Sequence, residues 1–254
     1  DIGYKSLAIN ISDISAMGAV PLGFDLNAML PEWGDEGFWR GFLQGMSSLA
    51  NEHELLLLGG DLAGAKNLGI SITILGNSSN SFMQRGGVYP GDVLFVVGDL
   101  GLARTGFCVL EEGQDKGLFK DAVSAHLRPC LHVHTATALA GYPQVKGLMD
   151  VSDGLIADLP RFIGDSLGAD LSLCRENLHA EVLDYTQRKC CSAVQFALKG
   201  GEDYALLGAC SAEGFKELTE SIPGMGKIGE VTAEHGIFLQ GEKSNLQGFD
   251  HFLP

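Results

Sequence analysis

Apolar residues recur at Leu7, Ala8, Ile11 and Ile14 between Tyr4 and Gly18, with Ile9 on another face, a spacing that predicts a largely buried helix ending near Gly18. Asn10 and Asp13, three apart, share one edge of that helix. Phe38, Phe42, Gly45, Met46 and Leu49 mark an amphipathic helix leading into a strand at 54–58 and a Gly59-Gly60-Asp61 turn. A second strand is predicted over 69–75. The stretch 76–87, with Asn77-Ser78-Ser79-Asn80-Ser81 inside it, reads as a linker, and the boundary between two lobes is placed there, 1–80 and 81–254. Beyond it the pattern predicts a strand at 92–97, a helix at 100–112 and helical material over 124–140 interrupted at Arg128-Pro129. A strand at 147–151 then runs into Asp150-Val151-Ser152-Asp153-Gly154-Leu155. Leu155, Leu159, Phe162, Ile163 and Leu167 follow at helical spacing, with Pro160 requiring that the helix start close by or bend. The remainder reads as a strand at 204–209, a helix at 212–221 and strands near 227–231 and 237–240.

Several carboxylates stand beside glycine at the end of apolar runs: Asp61 after Leu55-Leu56-Leu57-Leu58, the Asp150/Asp153 pair, and Glu202 and Asp203 in Gly200-Gly201-Glu202-Asp203-Tyr204. Asp13 stands in Asn10-Ile11-Ser12-Asp13. Taken singly, Asp beside Gly is most often a turn or a helix cap. Taken together, carboxylates at strand ends form the arrangement that holds Mg²⁺ against phosphate oxygens, on the side of the sheet where α/β proteins build sites. Asp153, at the predicted helix N-terminus, is read as a cap, a metal ligand next to phosphate, or both.

Composition narrows the classes. The chain has 254 residues, 45% of them hydrophobic, enough for one large core or two ordinary ones, and 35 glycines without a G-X-Y period, consistent with many tight turns. A formal charge of −15 disfavours nucleic acid and anionic membrane as partners and makes metal ions the expected route to holding polyphosphate. The six cysteines form no C-x-x-C pair, and no apolar run reaches the roughly 18 residues of a membrane span, so reduced thiols and a cytoplasmic location are expected. The seven histidines show no ligand spacing.

The residues also carry a family resemblance. Tyr4 to Asp13, Ala16-Met17-Gly18-Ala19, Gly59-Gly60-Asp61, Arg85 with Gly91-Asp92, Leu127-Arg128-Pro129, Asp150 to Leu155, Gly200 to Tyr204 and Gly248-Phe249-Asp250-His251-Phe252 together resemble the thiamine-monophosphate kinases, of the superfamily that includes aminoimidazole ribonucleotide synthetase. The resemblance implies an α/β (α+β) fold in two lobes, each a mixed sheet with helices packed on one side, and a homodimer pairing through sheets of the first lobe. It implies transfer of the γ-phosphoryl group of ATP to thiamine monophosphate, with several Mg²⁺ ions and no general base. By that resemblance Asp13, Asp61, Asp150 and Asp153 hold Mg²⁺; Gly60, Arg85 and Ser152 contact ATP; Glu202 and Phe249 contact the thiamine substrate. On its residue type alone Arg85 is equally an ordinary loop arginine, and Phe249 a residue that docks the tail. The chain departs from the family pattern at Leu62-Ala63-Gly64-Ala65, where Thr-Thr-Arg-Gly is usual, and at His132, where a second Arg is usual. An early Gly-Asp-Asp metal site of the pattern falls upstream of Asp1, so this chain is expected to be inactive alone. Two other functions are carried beside the kinase: a superfamily enzyme with a different substrate, and a non-catalytic nucleotide-binding or dimerising remnant.

Overall fold

In the computed structural model, which describes residues 1–80 and 82–248, the chain builds two mixed sheets with helices. The smaller lobe begins with α1 (Ile2–Ala16), continues through β1 (Val20–Pro31), α2 (Glu36–Glu52), β2 (Leu56–Ala65) and β3 (Gly69–Asn77), and orders its strands β2-β1-β3. β1 runs parallel to β2 and antiparallel to β3. Leu7 and Ile11 of α1 and Phe42, Met46 and Leu49 of α2 pack on Phe24 and Leu26 of β1, as the helical spacing of those residues dictates. Asp35 caps α2 by accepting a hydrogen bond from the Phe38 N–H at 2.7 Å.

The larger lobe contains β4 (Val93–Val97), α3 (Leu102–Glu111), α4 (Lys120–Leu127), α5 (Val133–Leu139), β5 (Val145–Val151), α6 (Leu155–Ile163), β6 (Gly168–Leu171), α7 (Ala180–Arg188), α8 (Ala193–Leu198), β7 (Ala205–Cys210), α9 (Ala212–Ser221), β8 (Met225–Thr232), β9 (Gly236–Leu239) and β10 (Glu242–Lys243). Its seven strands order β10-β9-β6-β8-β4-β7-β5, antiparallel except for β6 beside β9. Side chains of β4 alternate between faces. Leu94 and Val96 enter the larger core with α3, α6, α7 and α8, while Val93, Phe95 and Val97 enter a smaller core with α5, α9 and the end of α1. Helical cover on both faces of this sheet adds to the one-sided layer that was expected, and it explains why β4 and β7 are buried at every position. Among the described residues no helix is long and apolar enough to cross a membrane, and all six cysteines are free thiols.

Two elements differ from the reading of the sequence in ways that matter for the site. Gly59-Gly60-Asp61 is not a turn: β2 runs straight through it, with Gly60 opposite Leu26 and Asp61 opposite Asn27 of β1. β1 itself was not expected; it holds Pro21 and Gly23 at an irregularity in its pairing with β3.

Candidate active site

A cleft of about 590 Å³ lies where the two lobes meet. α1 contributes Asp13, Ala16 and Met17, the connection after β3 contributes Met83, Gln84 and Arg85, β5 contributes Leu148 to Asp150, and Ser152 and Arg161 complete the lining. Asp150 stands near the end of β5 and is buried, accepting a hydrogen bond from the Ser12 hydroxyl of α1 at 3.1 Å. Burial, and then the nearby negative charge of Asp13, push the Asp150 carboxyl up to about 6. Burial also raises Asp13 above the usual carboxylate range. Asp13 and Asp150 share this cleft's lining with Arg85 and Arg161, so the site offers both carboxylates for a cation and guanidinium groups for an anion.

A second cleft of about 490 Å³ is lined by Arg104, Phe107, Ser152, Asp153, Lys199, Gly201, Glu202 and Tyr204. Ser152 borders both, so the clefts meet at the loop between β5 and α6. Burial raises the Tyr204 phenol, and the charges of Glu202, Asp150, Asp13 and Asp153 raise it further.

The β5–α6 loop is held differently from expectation. The N-cap of α6 is Gly154, at φ +99°, and not Asp153. A Cβ at Gly154 would lie 2.9 Å from the Gly200 carbonyl oxygen, so the loop needs glycine both for its backbone and for its contact with the segment carrying Glu202. The buried carboxylate of Asp158 accepts hydrogen bonds from the Ser152 and Asp153 N–H groups at 3.0 and 2.9 Å. Those two donors are thereby taken, and the anion-binding role considered for them passes to side chains. The Arg161 guanidinium bridges Asp153 at 2.5 Å and Asp158 at 3.0 Å. Asp158 and Arg161 were missed in the sequence; their signal was the spacing of a charged pair three apart, one turn into a helix that opens on a carboxylate motif.

The residues expected to hold metal and ligands thus divide. Asp13, Asp150, Arg85 and Ser152 line the first cleft, and Ser152, Asp153 and Glu202 the second. Asp61 and Gly60 line neither. They sit within β2, and among the described residues no three His, Cys, Asp or Glu side chains gather to hold a metal. Gly60, at φ +148°, is required by the strand pairing itself, since a Cβ there would lie 1.8 Å from the Leu26 carbonyl oxygen. Phe249 lies outside the described residues. Asp203 is half-buried and accepts from the Gly101 and Ala103 N–H groups at 2.6 and 3.0 Å, fastening the start of α3. Burial pushes its carboxyl up to about 8, and it lines a separate cleft with Asp99, Arg128 and His132, whereas Glu202 lines the second cleft. Asp13 and Asp150 line one cleft and could hold Mg²⁺, which is commonly held by one or two carboxylates and completed by substrate phosphates.

Comparison with known proteins places this arrangement. The family model for the AIR synthase related protein N-terminal domain matches residues 1–77, and that for the C-terminal domain matches 89–242. The thiamine-monophosphate kinase of Buchnera aphidicola subsp. Schizaphis graminum is 31% identical over 100% of this chain and 81% of that protein. The enzyme of the same description from Aquifex aeolicus is 29% identical over 99% of this chain and 81% of its own length. The solved structure of AaThiL complexed with AMPPCP and TMP superposes with a TM-score of 0.88 at 27% identity, covering 99% of this chain and 80% of that one.

Proposed function

This chain belongs to the thiamine-monophosphate kinase family of AIR synthase related proteins, and from that premise we propose that it transfers the γ-phosphoryl group of ATP to the phosphate of thiamine monophosphate in a Mg²⁺-dependent reaction, giving thiamine diphosphate and ADP. It is a kinase by family. The substrate pair is supported by the likeness to a structure holding AMPPCP, an ATP analogue, and TMP. The single observation carrying the site is the first cleft, in which Asp13 and Asp150 share the lining with Arg85 and Arg161.

The acceptor is a phosphate oxygen that is already anionic, so the reaction needs no general base; the difficulty is to align two polyanions and offset their repulsion. One bond breaks between the γ-phosphorus and its bridging oxygen, and one forms to the acceptor oxygen. Arg85 and Arg161 supply fixed, charge-assisted donors for phosphate oxygens. Ser152, bordering both clefts, stands between nucleotide and acceptor, and Glu202 in the second cleft contacts the thiamine substrate. Asp13, Asp150 and Asp153 would hold Mg²⁺, which when bound neutralises phosphate charge in the transition state. Asp61 and Gly60, on an exposed strand of the smaller lobe, line neither cleft and would join a nucleotide site only if a second copy presented them to it.

Calorimetry with and without metal tests the proposal. ATP is expected to bind with Mg²⁺ and to lose at least tenfold in affinity in EDTA, because the cleft carboxylates repel free nucleotide. Equal affinity in EDTA would rule out carboxylate-held Mg²⁺. Nucleotide binding without formation of thiamine diphosphate from thiamine monophosphate would point to a different substrate.

A further inference from the structure

We infer that Lys5 and His126 are positioning residues for Glu202, clamping one oxygen of its carboxylate so that it meets substrate in the second cleft at a fixed angle. The inference rests on the reading of Glu202 as a contact to the thiamine substrate. Lys5 Nζ of α1 and His126 Nδ1 of α4 approach the same oxygen, Glu202 Oε2, each at 3.1 Å, and stand 3.4 Å from one another. The Lys5 and His126 side chains are largely buried, 19% and 14% exposed, while that of Glu202 is 46% exposed. An open carboxylate held from beneath by buried donors is oriented toward solvent or ligand, unlike a surface ion pair, in which both partners are mobile. Phe107, which lines the second cleft, packs its ring 5.5 Å from that of His126 and fixes the imidazole from the other side.

The backbone supports the same conclusion independently. Glu202 has φ +63° and Tyr204 φ +50°, both in the left-handed region that side chains other than glycine seldom enter. The segment is held there by Glu202 N–H donating to the Ser152 carbonyl at 2.7 Å, by Tyr204 N–H donating to the Val151 carbonyl at 2.9 Å, and by Asp203 fastened to the start of α3. Strain maintained by this many constraints is characteristic of a side chain that must point one way. Lys5 belongs to the smaller lobe and Glu202 to the larger, so the clamp also ties the angle of the carboxylate to the seating of one lobe on the other.

The test compares Lys5→Met, Lys5→Arg, His126→Gln, Glu202→Gln and the double variant Lys5→Met/Glu202→Gln in steady-state phosphoryl transfer to thiamine monophosphate, with folding followed by thermal melts. Lys5→Met and His126→Gln are each expected to raise KM for thiamine monophosphate roughly tenfold, the scale of a lost hydrogen bond to a charged group, with KM for ATP unchanged. Lys5→Arg should recover most of the loss, and the double variant should be no worse than Glu202→Gln alone, since the clamp has nothing left to hold. If Lys5→Met does not fold, His126→Gln with Glu202→Gln carries the same cycle. A Glu202→Gln effect that neither clamp variant reproduces, or losses that multiply in the double variant, would overturn the positioning role while leaving Glu202 as a contact. An unchanged KM in Glu202→Gln would instead remove the reading of Glu202, and the clamp's role with it.

Discussion

Asp150 contributes to the response of this molecule to pH, beside Asp203, whose carboxyl burial pushes up to about 8. The Asp150 folded-state value of about 6 lies above the ordinary 3.8, so the native chain keeps this proton to higher pH than the unfolded chain does. The stability of the metal-free protein should therefore fall as pH rises from about 4 through 6, by up to roughly 3 kcal/mol from this group. Asp158, also pushed up to about 6 by burial, acts in the same direction. Denaturant titrations in EDTA should show Asp150→Asn more stable than the parent at pH 8 and no more stable at pH 4, while phosphoryl transfer is lost. Opposed effects on stability and activity mark a group retained for chemistry. Asp158→Ala is expected to act the other way, costing about 2–4 kcal/mol by leaving the Ser152 and Asp153 N–H groups without their acceptor, and lowering activity although Asp158 lines neither cleft. Chemical denaturation alongside a kinase assay checks both. Of these residues, Asp13, Asp150 and Asp153 were singled out by their motifs and Ser152 by the family resemblance. Asp158, Arg161, Lys5 and His126 were not, because what they do depends on partners that only the folded chain places beside them.

Among the elements, β2 shows how a motif can be identified and its setting misjudged. Gly59-Gly60-Asp61 looked like a turn because paired glycines usually are one. In the structure Gly60 is the place where β1 and β2 approach too closely for any side chain, and the strand continues. Gly60→Ala should cost roughly 3 kcal/mol, a fall of about 6–12 °C in Tm for a chain of this size, and that loss should persist without nucleotide. A variant with unchanged Tm and weakened ATP binding would show that the glycine serves the ligand and not the strand pairing. Elements with strong periodicity, such as α1, α2, α6 and α9, were readable because their apolar faces are written at helical spacing. β1, β6, α7 and α8 were not, being short or interrupted by Pro and Gly and stabilised by neighbours distant in sequence.

At the scale of the molecule, the exposed side of the smaller sheet calls for a partner. Leu56, Leu57, Leu58 and Leu62 of β2 are 66%, 61%, 52% and 65% exposed. An apolar edge strand left open invites pairing or aggregation, so a second copy covering this face is expected, in line with the proposed homodimer. Sedimentation should give a dimer for the parent and a monomer for Leu56→Asp/Leu62→Asp; a monomeric parent at micromolar concentration would refute the pairing.

The sequence by itself determined the family, the two-sheet α/β class and the acidic motifs that line the clefts, because local periodicity and short-range motif chemistry are properties of neighbours along the chain. Only the tertiary structure decided which carboxylates share a cleft, that Asp203 fastens a helix while Glu202 lines the second cleft, that Asp61 lies within an exposed strand and lines neither cleft, and that Lys5 and His126 converge on one oxygen. Those outcomes turn on distances between residues as many as 197 positions apart, as between Lys5 and Glu202, and on burial, neither of which the order of residues specifies until the lobes have packed.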